Sequence, residues 1–410
     1  MRRRMLQIAW LFVCAAPAAL PAQEVTLFDH PIQVHGFASQ GFIYTDENNW
    51  LTTHSSQGSG AFTDFGFNVS TPINDKLRVG AQLYDRNLGN LGEWHPSLDW
   101  AVADYRFTTW FGIRGGKIKT RRGLYNDTQD LDFLQTFALL PQSIYPTDLR
   151  DSTIAHLGVD LYGTIPLRSR GGDLSYTAYA GHRSDSVYSG YPYLLTQFDI
   201  HLKRLGGLQY GGDLRWNTPL KGLLLGASRM NEYISGTGTS FNYFTPAGGI
   251  IPYSEHSRAD WTNQYYGLYT RNKLQIASEY RRYFHDQMIF GGISEDLIDV
   301  RGWYVSGTYR AVKRLQLGSY YSHYTVGSLA KGFFATTAPP GPASLPGNHV
   351  YDKVISARID LNRYWDVKIE GHFINGYGNA PYPEGFYPQV NPNGFKPDTN
   401  ALVIRTGVNF

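Results

Sequence analysis

Along most of the chain apolar and polar side chains alternate with a period of two, the signature of a strand whose two faces meet different surroundings. In the last segment Leu402, Ile404, Thr406, Val408 and Phe410 share one face, with Val403, Arg405, Gly407 and Asn409 on the other. Leu77, Val79, Ala81 and Leu83 likewise oppose Arg78, Gly80, Gln82 and Tyr84, and Ile355, Ala357, Ile359 and Leu361 oppose Ser356, Arg358 and Asp360. The alternation predicts sixteen strands, near 33–43, 61–71, 77–86, 98–107, 109–119, 154–163, 172–182, 207–217, 221–232, 261–270, 273–284, 299–311, 314–325, 350–361, 364–375 and 399–410.

The connectors alternate too. Short ones carry turn residues, such as Asn74-Asp75, Thr218-Pro219-Leu220, Arg271-Asn272 and Asn362-Arg363. Long ones fall between them, at 44–60, 87–97, 120–153, 183–206, 233–260, 285–298, 326–349 and 376–398. Short turns at one end and long loops at the other, with an even strand number, predict an all-β fold: a transmembrane antiparallel β-barrel over residues 24–410, with periplasmic turns and extracellular loops. Lipid cannot satisfy a backbone amide, so such a sheet must close on itself, and closure sends alternate residues to lipid and to a polar lumen.

Composition fits this division. Mean hydropathy is −0.34, and no stretch after Gln23 offers the run of about 18 apolar residues that a membrane helix needs. Aromatic residues are 15% and charged residues 17% of the chain, the latter below the roughly 25% usual in soluble domains. Tyr44, Trp50, Trp110, Tyr162, Trp216, Tyr233, Trp261, Trp303, Tyr324, Trp365, Tyr377 and Phe410 cluster near strand ends, as interface girdles require. A soluble secreted all-β binding protein would also alternate, but has no reason for one-sided loop lengths.

Residues 1–23 read as a signal peptide: Arg2, Arg3 and Arg4, an apolar stretch from Met5 to Leu20, then small residues. Its three arginines account for the formal charge of +3, since they reduce Lys+Arg from 37 to the 34 of Asp+Glu. A neutral mature chain removes the electrostatic case for nucleic acid. The single Cys, Cys14, leaves with the leader, which suits an oxidising compartment.

Two stretches carry a family resemblance. Ala401 to Phe410, alternating and closing on phenylalanine, resembles the assembly signal of Gram-negative outer-membrane barrels, with Leu402, Ile404, Val408 and Phe410 as its apolar positions. Arg114-Gly115-Gly116-Lys117-Ile118-Lys119-Thr120-Arg121-Arg122-Gly123-Leu124-Tyr125-Asn126 resembles the strand-to-third-loop passage of large porin-like families related to the phosphate-selective porins, with Arg121 where those have a proline. The resemblance implies a homotrimeric porin, inserted by the barrel-assembly machinery into the outer-membrane bilayer, with its third loop narrowing a pore for small polar solutes or ions.

The third connector, 120–153, is the longest and its charges are sorted. Lys117, Lys119, Arg121 and Arg122 come first, then Asp127, Asp130 and Asp132, and later Asp148, Arg150 and Asp151. Apolar side chains at Phe133, Leu134, Phe137, Leu139 and Leu140 would anchor it on the wall, leaving carboxylates to face wall arginines across the lumen in a transverse field. Inward cations expected from the alternation are Arg78, Arg106, Arg114, Arg215, Arg281, Arg310, Arg358, Lys368 and Arg405; the inward anions are Asp104, Asp160, Asp213, Glu279, Asp360 and Glu370. Nine against six predicts at most a weak anion preference. Arg78 and Arg114 are the leading counter-charges, and Gly115-Gly116 is a candidate bulge deciding which of Lys117 and Ile118 points inward.

An outer-membrane enzyme of lipase or protease type is the alternative reading. His156 with Asp160 and Glu370 with His372 share inward faces, but no metal, cofactor or nucleophile motif accompanies them.

Overall fold

The computed structural model describes residues 23–27, 30–167, 171–241, 248–292, 294–332, 344–378 and 384–410. The leader, except Gln23, and residues 338–343 of the Pro/Gly-rich loop lie outside them. The strands are β1 (Gln23–Leu27), β2 (His30–Thr45), β3 (Ser59–Pro72), β4 (Leu77–Leu88), β5 (Ser97–Thr108), β6 (Phe111–Lys119), β7 (Ala155–Leu167), β8 (Gly172–Ser184), β9 (Ile200–Asn217), β10 (Leu223–Phe241), β11 (Ile250–Arg271), β12 (Leu274–Ile289), β13 (Ser294–Val312), β14 (Leu315–Gly332), β15 (His349–Asp360), β16 (Trp365–Asn375) and β17 (Asp398–Asn409). Each of β2 to β17 pairs antiparallel with its sequence neighbours, and β17 closes on β2 from Ala401↔Thr45 to Asn409↔Phe37. The result is a closed sixteen-strand barrel, with β1 folded back on the start of β2.

Alternation decides which side each residue faces. Leu157, Ile355 and Leu83 are 61%, 60% and 56% exposed on the outside, whereas Val403 and Tyr304 on the inside are 0% and 1% exposed. A continuous outer band of exposed Leu, Ile, Val and Phe is intolerable in water and expected in lipid. Trp110, Trp216, Tyr233, Tyr265 and Tyr309 stand out among the exposed aromatics. Trp50, expected among them, is instead buried in the first long loop, where its ring lies 5.0 Å from His372 and its indole N–H donates to Glu384 O at 3.0 Å.

The short turns are built from their own residues. Asn74 Oδ1 accepts from the amides of Lys76 and Leu77, both at 2.9 Å. Asn272 takes φ 54° in the two-residue turn between Arg271 and Leu274, a conformation asparagine tolerates better than most residues. On the other rim, β9 to β14 run well beyond the expected limits, so most of 233–260 and 285–298 and parts of 183–206 and 326–349 are strand rather than loop. In this upper part, for example Ser254-Glu255-His256-Ser257-Arg258, both faces are polar. The ladder continues through such stretches without the hydropathy alternation that betrays a strand, and in upper β9 Ile200, Leu202 and Leu205 turn apolar side chains inward rather than outward.

At the seam, Phe410 N donates to Gly36 O at 3.0 Å and Gly36 N to Phe410 O at 3.2 Å. A Cβ on Gly36 would lie 2.4 Å from the Phe410 ring, so only glycine leaves room for that ring. Gly36→Val is expected to lower the temperature at which the folded barrel loses its fast gel mobility, at a cost of about 1–3 kcal/mol. Adding Phe410→Ala to it should cost less than the two single effects summed, because the clash is gone.

Candidate pore constriction

The third loop leaves the wall after Lys119 and returns at Ala155, residues that face each other across β6 and β7. Its base is clamped by Asn126, whose Nδ2 donates to Thr120 O and Thr153 O, both at 2.8 Å. Gly123, at φ +62°, passes so near the opposite wall that a Cβ would meet the Gln264 amide at 2.0 Å and the Glu279 carboxylate at 2.5 Å. Glu279 receives the loop there: it accepts from Leu124 N at 3.0 Å, Tyr145 Oη at 2.7 Å, Tyr304 Oη at 2.8 Å and Gln264 Nε2 at 2.7 Å.

From that point the chain crosses the lumen and touches most of the wall. Asp130 accepts from Lys119 Nζ at 2.6 Å and Gln82 Nε2 at 2.8 Å. Asp132 pairs with Lys368 Nζ at 2.7 Å and Arg405 at 3.1 Å. Arg358 donates to the carbonyls of Phe133 and Gln135, and Glu370 accepts the amides of Ala138 and Leu139, both at 3.1 Å. Phe137 stacks edge-on against Tyr320 with centroids 5.0 Å apart, and Leu124, Leu140, Ile144 and Tyr145 pack with Tyr266 and Tyr304. Arg281 donates to Ile144 O at 3.0 Å, Arg150 pairs with Asp99 at 2.8 Å, and the hydroxyl of Tyr387 donates to Asp148 at 2.6 Å.

The loop carboxyls differ in proton affinity for reasons visible in these contacts. Burial by itself would raise Asp130, but Lys119 and Arg150 outweigh it and hold the carboxyl below its usual range. Asp132 is likewise lowered, with burial opposed by Arg405 and Lys368. Asp148 is pushed up by burial, which the Tyr387 hydroxyl and the more distant Arg86 only partly offset.

The residues singled out by sequence fall into distinct places. Arg114, half-buried, pairs with Asp104 at 3.1 Å over the Tyr162 ring; Arg106, exposed, lies beyond it toward the short-turn rim. Arg78 is exposed on the same rim and bonds Gln33 and Ser70, with no contact to the loop. Asp130 and Asp132 are both buried, 3% and 6% exposed, and anchor the loop rather than facing open lumen across from wall arginines. Arg358 and Arg405 are their neighbours in this anchoring. Asp127 is half-buried, near Arg121, which lies 3.9 Å from Asp213. Gly115-Gly116 makes no bulge: pairing is unbroken from Ala101↔Lys117 to Asp104↔Arg114, and the irregularity falls between Arg106 and Thr108. Ile118 therefore faces inward opposite His156, while Lys117 pairs with the exposed Leu157 and donates to Leu98 O at 2.6 Å.

Arg122 is 3% exposed, with only Asn126 Oδ1 at 3.4 Å and Met230 Sδ at 3.9 Å as partners among the described residues. The loop separates two cavities. One of about 270 Å³ on the short-turn side is lined by Leu124, Phe137, Leu140, Gln275, Tyr304 and Thr308. One of about 90 Å³ on the other side is lined by Arg122, Met230, Glu232, Arg281, Tyr324 and Glu384 among others.

The inward histidines are hydrogen-bonded at both ring nitrogens. Thr120 Oγ1, His156 and Asp160 form a line with 2.9 Å steps that superficially has the order of a hydroxyl nucleophile, base and orienting acid. Thr120 is 0% exposed, however, so a substrate has no approach to its hydroxyl. His372 is held between Asp352 and Glu370 in the same way. Among the described residues no group of His, Cys, Asp and Glu is placed to hold a metal ion.

No family model matches this sequence, and no curated protein matches it. Solved structures do match the fold. OmpF of Salmonella typhi, in complex with daunomycin, superposes with a TM-score of 0.57 at 12% identity, covering 95% of this chain and 100% of that one. The in-vitro folded trimer form of OmpT, an outer membrane protein of Vibrio cholerae, gives 0.52 at 12% identity over 93% and 99%. The anion-selective porin of Comamonas acidovorans gives 0.54 at 8% over 93% and 100%. The architecture is that of the porin-like outer-membrane β-barrels.

Proposed function

We propose that this chain is an outer-membrane porin through which small polar or charged solutes diffuse passively, with a weak preference for anions. The observation that carries the reading is the third loop, folded into a closed sixteen-strand barrel and fastened to its wall by Asp130, Asp132, Glu279 and Glu370. A lumen so narrowed sorts solutes by size and charge at one level, which is what a diffusion pore requires and a binding receptor does not. Anion preference is supported by Arg121 and Arg215, partly exposed beside the loop's start, against Asp127 and the already engaged Asp213.

Export by residues 1–23, insertion by the barrel-assembly machinery through the Leu402, Ile404, Val408 and Phe410 face, and assembly as a homotrimer belong to the same proposal. The trimer form of the OmpT structure supports the last by likeness of fold. Purified protein in planar bilayers should give small stepwise conductances, with a reversal potential under a salt gradient of the sign for mild anion selectivity. A folded barrel that inserts yet gives no steps would remove the porin reading.

A further inference from the structure

The cavity of about 90 Å³ on the extracellular side of the third loop holds charges that the channel reading leaves unexplained. Three of its carboxylates are answered within the protein: Glu232 by Arg183 at 2.5 Å, Asp260 by His285 at 2.8 Å, and Glu255 by the hydroxyls of Tyr253 and Tyr191 at 2.7 and 2.9 Å. Two of its cations have no carboxylate at ion-pair distance among the described residues, although Arg281 donates to Ile144 O at 3.0 Å and Glu384 lines the same space. Arg122, from the loop, and Arg281, from the wall, are 3% and 8% exposed, yet neither forms an ion pair among the described residues, and the Nε of each lacks any hydrogen-bond partner. Burying a guanidinium without an anion is costly, so two such groups lining one cavity imply that something negative completes them.

We propose that this cavity binds a small organic carboxylate, held between Arg122 and Arg281, and that such acids are the solutes the pore favours. The proposal rests on the porin reading for its second half only. The size and lining choose the class: about 90 Å³ accommodates about six to nine water-sized atoms, and Leu149, Met230, Ile234 and Val300 supply apolar walls for the body of the acid. Glu384 lines the same space, and burial, opposed by Arg281, pushes its carboxyl up to about 8, so that at neutral pH it is mostly protonated and can donate to a second oxygen. A planar guanidinium suits a carboxylate because two parallel N–H groups meet two oxygens.

Calorimetric titration of the full-length barrel in detergent with benzoate, benzamide and inorganic phosphate tests this without requiring conductance. Benzoate should bind saturably. Benzamide, its neutral counterpart in size, should bind about tenfold or more weakly, and so should benzoate to Arg122→Gln or Arg281→Gln. Arg310→Gln, on the short-turn rim, should leave binding unchanged. Equal binding of benzamide in the wild type, undiminished binding by both arginine variants, or phosphate binding as tightly as benzoate would each overturn the proposal. Binding in a barrel that does not conduct would keep the site and remove the porin reading; conductance without benzoate binding would do the reverse.

Discussion

Asp132→Ala is expected to release the third loop and raise single-channel conductance. The carboxylate of Asp132 faces Lys368 at 2.7 Å and Arg405 at 3.1 Å, and Lys368 is 0% exposed. Removing one partner of a buried pair leaves charge stranded in a poor solvent, at about 3–5 kcal/mol. The barrel need not bear that cost, because its strands are held by a continuous ladder in which Asp132 takes no part. The loop bears it, and the stretch around 130–140 detaches from β16 and β17. Asp132→Asn keeps one acceptor oxygen and should lie between the two.

Protonation should act in the same direction as the substitution. Asp130 and Asp132 have carboxyls held below their usual value. Their anchoring is fully present above the unfolded value near 3.8 and is lost as pH falls through the depressed native ones. The hold of these two anchors should therefore persist from neutral pH to about pH 4 and fail only below it, read as a rise in conductance in that range. An Asp132→Ala pore indistinguishable from wild type in conductance would mean that the loop is held by other contacts.

Glu279→Leu should have an effect of comparable size at the loop's other anchor. Four donors converge on this carboxylate: Leu124 N, Tyr145 Oη, Tyr304 Oη and Gln264 Nε2. A leucine of similar bulk strands all four in a buried cluster with Ile144 and Tyr266. At about 1 kcal/mol or more for each unsatisfied donor, the loss reaches about 4 kcal/mol. Glu279→Gln retains one oxygen and should lose less than half of that. Protease cleavage within 120–153 in the folded, membrane-inserted protein reads out both substitutions. Glu279→Leu should be cut readily, Glu279→Gln slowly and wild type hardly at all; equal resistance in all three would show that Glu279 does not secure the loop.

The strands and their faces were legible in sequence because each is a local, repeated choice. Leu402 and Ile404 had to face lipid and Arg405 had to face inward, whatever the rest of the chain did. What escaped were places where hydropathy carries no signal. The upper parts of β9 to β14 reverse or lose the lower pattern: Ile200, Leu202 and Leu205 turn an apolar face inward, while stretches such as Ser254 to Arg258 are polar on both faces, so their ladders read as loop. Trp50 looked like a girdle residue because aromatic type does not reveal which side of the wall a loop folds toward. Arg281 falls on an inward face as the alternation predicts, but nothing in its neighbourhood of sequence shows that its Nε would lack a partner among the described residues.

By itself, then, the sequence determined a closed barrel of sixteen strands, its inner and outer residues, and the inward-folding length of its third loop. Only the tertiary structure decided that Asp130 and Asp132 tie the loop down rather than face the pore, and that among the described residues the Nε of Arg122 and of Arg281 is left without a hydrogen-bond partner. The reason is separation along the chain. Lipid imposes its two-residue period on every strand independently, whereas the pairing of Asp132 with Lys368 joins residues 236 positions apart and depends on where the whole loop comes to rest.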